Sequence, residues 1–242
     1  MIRLVLVAIF LICFFLLGIP VLFITWVIGR FNRRTQDIVC LRIVQAAFRY
    51  ILFVSGVKVD VIGQENVPKD QAVLYVANHR SYFDILLTYS RCPDLTGYVS
   101  KDTLSHVPFL RLWMRRLHCL FLDRKDLKKG LQMVLDGIDL IKHGISVCIF
   151  PEGTRGTDPD QMNVAPFKEG SMKMAEKTGC PIIPIAIHNS SQIWEDHFPR
   201  IRPAHVTIEY GTPIDPKAVP KEERKALGAL ARKQIITMLE KN

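Results

Sequence analysis

Residues 72–90 read "AVLYVANHRSYFDILLTYS", and the fold turns on how this stretch is divided. Ala72 to Ala77 is a continuous apolar run, the pattern of a strand covered on both faces. "NHRSYFD" (78–84) follows, and then a helical pattern begins near Ser81. In an ideal helix, residues five apart lie about 140° apart, so His79 and Asp84 meet only if the chain turns between them. A strand, a turn and a helix start allow that meeting. Two readings stay open on these residues. "SYFD" fits the capping box S-x-x-D, with Asp84 serving its own helix and His79 an ordinary loop residue. Alternatively the two form a dyad, in which Asp84 holds one ring nitrogen and the other takes a proton from a substrate hydroxyl.

The same alternation continues outward. Further strand candidates are 57–63, 95–100, 118–123, 145–150, 181–187 and 205–211. Between them, "LKKGLQMVLDGIDLIKHG" carries Leu131, Val134, Leu135, Ile138 and Ile141 on one face and stops at Gly144, a suitable C-cap. "FKEGSMKMAEKTG" and the closing "KEERKALGALARKQIITMLEK" behave likewise. The pattern predicts an α/β fold with a largely parallel or mixed central sheet flanked by helices. Ligands in such sheets bind where loops leave the carboxyl ends of strands, and "FPEGTRG" (150–156) leaves a strand in that way, as "NHRSYFD" does. Its glycines let backbone amides approach a ligand, and Arg155 offers a fork for phosphate. The bland alternative is a surface turn with a solvated Glu152–Arg155 pair. Neither a P-loop nor G-x-S-x-G occurs in the chain.

From Leu4 to Ile28 no residue is charged. A helix over those residues spans roughly 37 Å, longer than a bilayer's ~30 Å hydrocarbon core. Gly18 and Pro20 interrupt the run, and proline kinks a helix. Over 38–54, Arg42, Gln45 and Arg49 form a narrow polar stripe at helical spacing, as in a helix lying in the membrane interface with its arginines among head groups. Residues 1–56 therefore read as a membrane-anchoring unit, a span plus an interfacial helix or a hairpin dipped into one leaflet, and 57–242 as the α/β domain. Arg30, Arg33 and Arg34 against Arg3 place that domain on the cytoplasmic face of the inner or plasma membrane. The 242 residues carry a formal net charge of +9, which suits phosphate-bearing partners. The six cysteines stand singly and no Cys/His grouping has metal-ligand spacing, so reduced thiols and no metal are expected. "RLWMRR" (111–116) reads equally as a membrane- or donor-facing patch and as a helix with Trp113 and Met114 buried. The remaining histidines have no acidic partner at telling spacing.

"NHRSYFD", "FLDR" (121–124), "FPEGTR" and "CPIIPIAI" (180–187), in that order, resemble the glycerolipid acyltransferases of the lysophosphatidate acyltransferase (PlsC-like) family. The resemblance covers roughly residues 57–211. It implies that His79 is a general base oriented by Asp84. The base deprotonates the free sn-2 hydroxyl of lysophosphatidate, which attacks a thioester donor, acyl-CoA or acyl carrier protein, giving phosphatidate. It implies no permanently bound cofactor and no acyl-enzyme. It places Arg124 and the block Glu152, Gly153, Thr154 and Arg155 around the acceptor and its phosphate. Lys101, after a strand, adds a positive charge, and Pro181 and Pro184 read as structural or as acyl-pocket lining. Arg111, His118 and Cys119 stand where the family usually has glycine, and Gly156 where a hydroxyl residue is common, which bears on acceptor and donor preference. Competing readings are an acyltransferase for another lysophospholipid or lyso-aminolipid, and a non-catalytic membrane-anchored lipid-binding protein. A nucleic-acid binder is excluded, because no basic, aromatic-interleaved motif is present.

Overall fold

The computed structural model describes residues 1–241. Two long helices open it, α1 (Ile2–Phe31) and α2 (Arg33–Ser55), and both are long and apolar enough to cross a membrane by length and composition. α1 runs unbroken through Gly18 and Pro20. A proline deprives the helical ladder of one N–H. Gly18 marks a close approach rather than a break: a Cβ there would sit 3.2 Å from the Trp113 indole nitrogen.

The polar stripe of α2 bonds to protein. Gln45 is fully buried, and its Nε2 donates to the carbonyls of Tyr89 (3.1 Å) and Cys92 (2.8 Å). Arg42 donates to the Pro93 carbonyl and Arg49 to that of Ser90. These acceptors lie at and just beyond the end of helix α3 (Phe83–Tyr89). A helix C-terminus leaves carbonyls without intrahelical partners and attracts cations. Local periodicity shows the stripe but not which surface it meets.

All seven runs expected as strands are strands, with ends shifted by at most two residues: β1 (Lys58–Ile62), β2 (Leu74–Ala77), β3 (Thr96–Lys101), β4 (Leu120–Leu122), β5 (Ser146–Ile149), β6 (Ile182–His188) and β7 (His205–Tyr210). The sheet order is β1-β7-β6-β2-β5-β3-β4. β6, β2, β5, β3 and β4 pair in parallel, while β7 runs antiparallel to β6 and carries β1 with it. The sheet is therefore mixed.

Side chains alternate across it, as the pleat requires. Tyr75 and Ala77 pack with Cys40, Leu41 and Val44 of α2 and Leu87 of α3. Leu74 and Val76 pack on the opposite face, with Met133 of α5 (Leu127–Lys142), Met174 of α6 (Lys173–Thr178) and Ile235 of α7 (Leu227–Leu239). The result is three layers, helices on both faces of one sheet.

α5 starts at Asp126, whose carboxylate accepts from the amides of Lys128 and Lys129, and stops before Gly144, which is left-handed at φ 79°. Its core-facing side differs from the expected one. Met133, Gly137 and Ile141 are buried, whereas Leu131 and Leu135 are 62% and 49% exposed. In α4 (Pro108–Arg116), Trp113 and Met114 are buried, Trp113 against Phe14 of α1 at 5.2 Å between rings.

Candidate active site

β2 and β5 are parallel neighbours, with Leu74 opposite Val147 and Val76 opposite Ile149. The loops that follow them leave the same sheet edge side by side. Lys101 ends β3 on that edge, and Arg124 follows the end of β4.

Within "NHRSYFD" the chain turns as required. His79 Nδ1 lies 2.8 Å from Asp84 Oδ2, and Asp84 is fully buried. The same oxygen accepts from the backbone amides of Arg80 (2.7 Å) and Ser81 (2.8 Å). A carboxylate oxygen holding two N–H donors takes a third donor, so Nδ1 carries the proton and Nε2 is left as the acceptor. The bond to the Ser81 amide is also one half of the capping box, and Phe83 N–H donates to Ser81 Oγ. Cap and dyad are thus one structure: the helix start delivers the aspartate. The His79 ring stacks on Phe150 at 4.3 Å, with 23° between planes, which limits its tilt.

Main-chain bonds tie the two motifs together. His79 N–H donates to Glu152 Oε1 at 2.7 Å, and Gly156 N–H donates to the His79 carbonyl at 2.8 Å. Glu152 makes no pair with Arg155. It is buried, and its second oxygen accepts from Ala165 N–H at 3.0 Å. Burial pushes its pKa up, against the lowering effect of the two amide donors. Gly153 is left-handed at φ 78°, which lets the turn double back. Arg80 is buried too and anchors the loop beyond through the carbonyls of Asp158 and Asp160.

A cleft of about 1130 Å³ opens over this edge, lined by His79, Lys101, Arg124, Gly153, Thr154 and Arg155. Asp84 and Glu152 lie beneath it and act on its lining through His79. Arg155 sits 3.6 Å over the Tyr82 ring, with Nη1 3.3 Å from Glu195 Oε1. Glu195 also accepts from Ser81 Oγ (2.6 Å) and Tyr82 N–H (2.8 Å). It carries no sequence signal, because it lies in a short 3₁₀ turn (Glu195–His197) after β6 and acts across the fold. Lys168, Lys173 and Lys177 reach the same cleft and were equally silent in sequence.

Thiol chemistry has no place here. Burial pushes Cys92 and Cys119 up to about 11 and Cys148 well above the ordinary thiol value, so they stay protonated near neutrality. One departure from the motif pattern has a physical reading. His118 takes φ 55°, a left-handed conformation that favours glycine, and its Nε2 bonds Asp37 Oδ2 of α2 at 2.9 Å. It does have an acidic partner, then, one that spacing along the chain could not reveal.

The family model described as Acyltransferase matches residues 58–188. A 1-acyl-sn-glycerol-3-phosphate acyltransferase of Borreliella burgdorferi is 30% identical over 199 residues, 81% of this chain and 77% of that protein. One from Saccharomyces cerevisiae is 26% identical over 186 residues, 76% of this chain and 61% of that one. The crystal structure of PlsC, the 1-acyl-sn-glycerophosphate acyltransferase of Thermotoga maritima, superposes with a TM-score of 0.83 at 25% identity, covering 99% of this chain and 94% of that one. A family match spanning more than half the chain, on the fold whose strand ends carry its motifs, means that this chain belongs to the acyltransferase family and is an acyltransferase of the PlsC-like kind.

Proposed function

We propose that this enzyme transfers a fatty acyl group from a thioester donor, acyl-CoA or acyl carrier protein, to the sn-2 hydroxyl of lysophosphatidate, yielding phosphatidate. The observation that carries the proposal is the His79–Asp84 bond at the floor of a cleft lined by Lys101, Arg124 and Arg155. His79 Nε2 takes the hydroxyl proton as the oxygen attacks the thioester carbonyl carbon. The tetrahedral intermediate collapses, the carbon–sulfur bond breaks, and the imidazolium returns its proton to the leaving thiolate. Asp84 holds the ring in the correct tautomer and stabilises the imidazolium. Glu152, gripping the His79 amide, is the positioning residue that joins the two motifs. Arg124, Arg155 and Lys101 receive the acceptor's phosphate, with the backbone of Gly153 and Thr154 beside it. Arg155 has five N–H donors, so its contact with Glu195 leaves a fork for phosphate oxygens.

Residues 1–56 serve in this reading as the membrane anchor and 57–242 as the catalytic domain, on the cytoplasmic face, where Arg30, Arg33 and Arg34 follow the uncharged run 4–28. An anchor is what two membrane-resident lipids require. The test is acyl transfer by detergent-purified protein across a panel of lysolipids and both donor types. Lysophosphatidate should be preferred over neutral monoacylglycerol. His79→Ala should lower kcat by about 10²–10⁴-fold, the range for losing a general base, and an unchanged rate sinks the reading. Arg155→Ala should raise the acceptor's KM about tenfold at a modest cost in kcat, the signature of lost uniform binding; equal KM values would remove Arg155 from the phosphate site.

A further inference from the structure

The cleft holds more positive charge than one acceptor phosphate requires. Beside Lys101, Arg124 and Arg155, it is lined by Lys168, Lys173 and Lys177. Lys173 and Lys177 are four apart on α6 and share one face of it. Among the described residues no carboxylate pairs with Lys168 or Lys177, while Lys173 Nζ meets Glu176 at 2.5 Å. Along the same cleft runs the outward stripe of α5: Leu127 (93% exposed), Leu131 and Leu135, with Val134 and Ile138. Leucines at this spacing usually face a core. Here they form a wall with lysines at its rim, a surface suited to an amphiphile with an anionic end.

The chemistry explains why a second anion site is needed. His79 moves a proton and holds no acyl group, so acceptor and donor occupy the cleft together. Its volume of about 1130 Å³ exceeds the ~1,000 Å³ at the top of the usual single-ligand range. Acyl-CoA and acyl carrier protein share one structure at the reacting end, a thioester on a pantetheine arm that terminates in phosphate. We propose that Lys173 and Lys177, with the α5 stripe beside them, form the donor subsite and bind the phosphate of that arm. Lys101, Arg124 and Arg155 are left to the acceptor. This rests on the acyl-transfer reading above.

The test uses the full-length protein and four palmitoyl donors: the thioesters of pantetheine, 4′-phosphopantetheine, coenzyme A and carrier protein. Wild type should show a KM about tenfold lower for the phosphorylated arm than for bare pantetheine, the order expected of two solvent-accessible charge-assisted bonds. In Lys173→Gln/Lys177→Gln that ratio should fall below about twofold, with an unchanged melting temperature and an unchanged acceptor KM. A similar loss with both coenzyme A and carrier protein supports the shared phosphate. A loss with carrier protein alone overturns it in favour of contact with the carrier's own surface, and a loss with coenzyme A alone in favour of its nucleotide phosphates. A variant that keeps the tenfold ratio, or raises the acceptor KM instead, also overturns it. Wild type that transfers from none of the four overturns the acyl-transfer reading and this inference with it, an outcome distinct from a working enzyme indifferent to its lysines.

Discussion

Asp84 and Glu195 illustrate how little sequence distance predicts about a residue's work. Asp84 is five positions from His79 and announces itself. Glu195 is remote, yet it holds Ser81 Oγ, Tyr82 N–H and Arg155 Nη1. Glu195→Ala should raise the acceptor KM about tenfold by releasing Arg155, with Glu195→Gln intermediate because it keeps one acceptor oxygen. The discriminating measurement is a double-mutant cycle. In an Arg155→Ala background, Glu195→Ala should add less than about twofold to the acceptor KM, since the two act through one contact. A full additional tenfold would disconnect them. Glu152 makes a separate prediction about pH. Its pKa is raised above the ordinary 4.5 by burial, so the folded state holds its proton more tightly than the unfolded state does. The stability it contributes is complete below pH 4.5 and is lost as pH rises through the higher folded-state value. Glu152→Gln, which cannot ionise, should flatten the dependence of unfolding free energy on pH just above 4.5. An unaltered slope in urea unfolding at stepped pH would contradict this.

At the scale of elements, α2 is the informative case. Its apolar side packs on α1 and the sheet, and its polar stripe caps the end of α3, the helix that begins at the His79–Asp84 turn. Replacing Gln45 with Ala would strand the Cys92 carbonyl, take one of two donors from that of Tyr89 and leave a void. A loss of about 2–4 kcal/mol in unfolding free energy is expected, measured by denaturant titration in detergent. A loss below about 0.5 kcal/mol, normal for a surface substitution, would show that the contact contributes nothing. A head-group role for the stripe would instead appear as weakened binding to anionic vesicles without loss of stability.

For the whole molecule, the exposed face of α1 is the largest unresolved physical demand. Leu16, Leu17, Phe23 and Ile24 are 64%, 68%, 64% and 57% exposed, and among the described residues no element covers them. Burying each in lipid is worth about 1.5–3 kcal/mol. Leu16→Ser/Leu17→Ser/Phe23→Ser should therefore cut partitioning into phospholipid vesicles at least about 100-fold. Activity toward a short-chain, water-dispersed acceptor should stay within about threefold, because none of the three lines the cleft. Vesicle co-sedimentation and a soluble-acceptor assay check the two halves, and undiminished sedimentation would place the anchor elsewhere.

The local sequence determined the elements and the first residues of the site. Seven strands, their alternation with helices and the turn at "NHRSYFD" were legible, because periodicity, caps and short loops are set by neighbours along the chain; the same residues left the His79–Asp84 pair open against a plain helix cap, and the set of spaced motifs favoured it. Only the tertiary structure decided which strands lie side by side, and with that everything that acts across the sheet edge. It made β7 antiparallel, gave Glu152 to the His79 amide instead of Arg155, and brought Glu195 under Arg155. It turned Leu131 and Leu135 outward beside Lys173 and Lys177, and paired His118 with Asp37. The physical reason is the same throughout. A hydrophobic stripe shows that a face is apolar and a cation shows that it is charged, but what each meets depends on contacts between segments that no local pattern encodes.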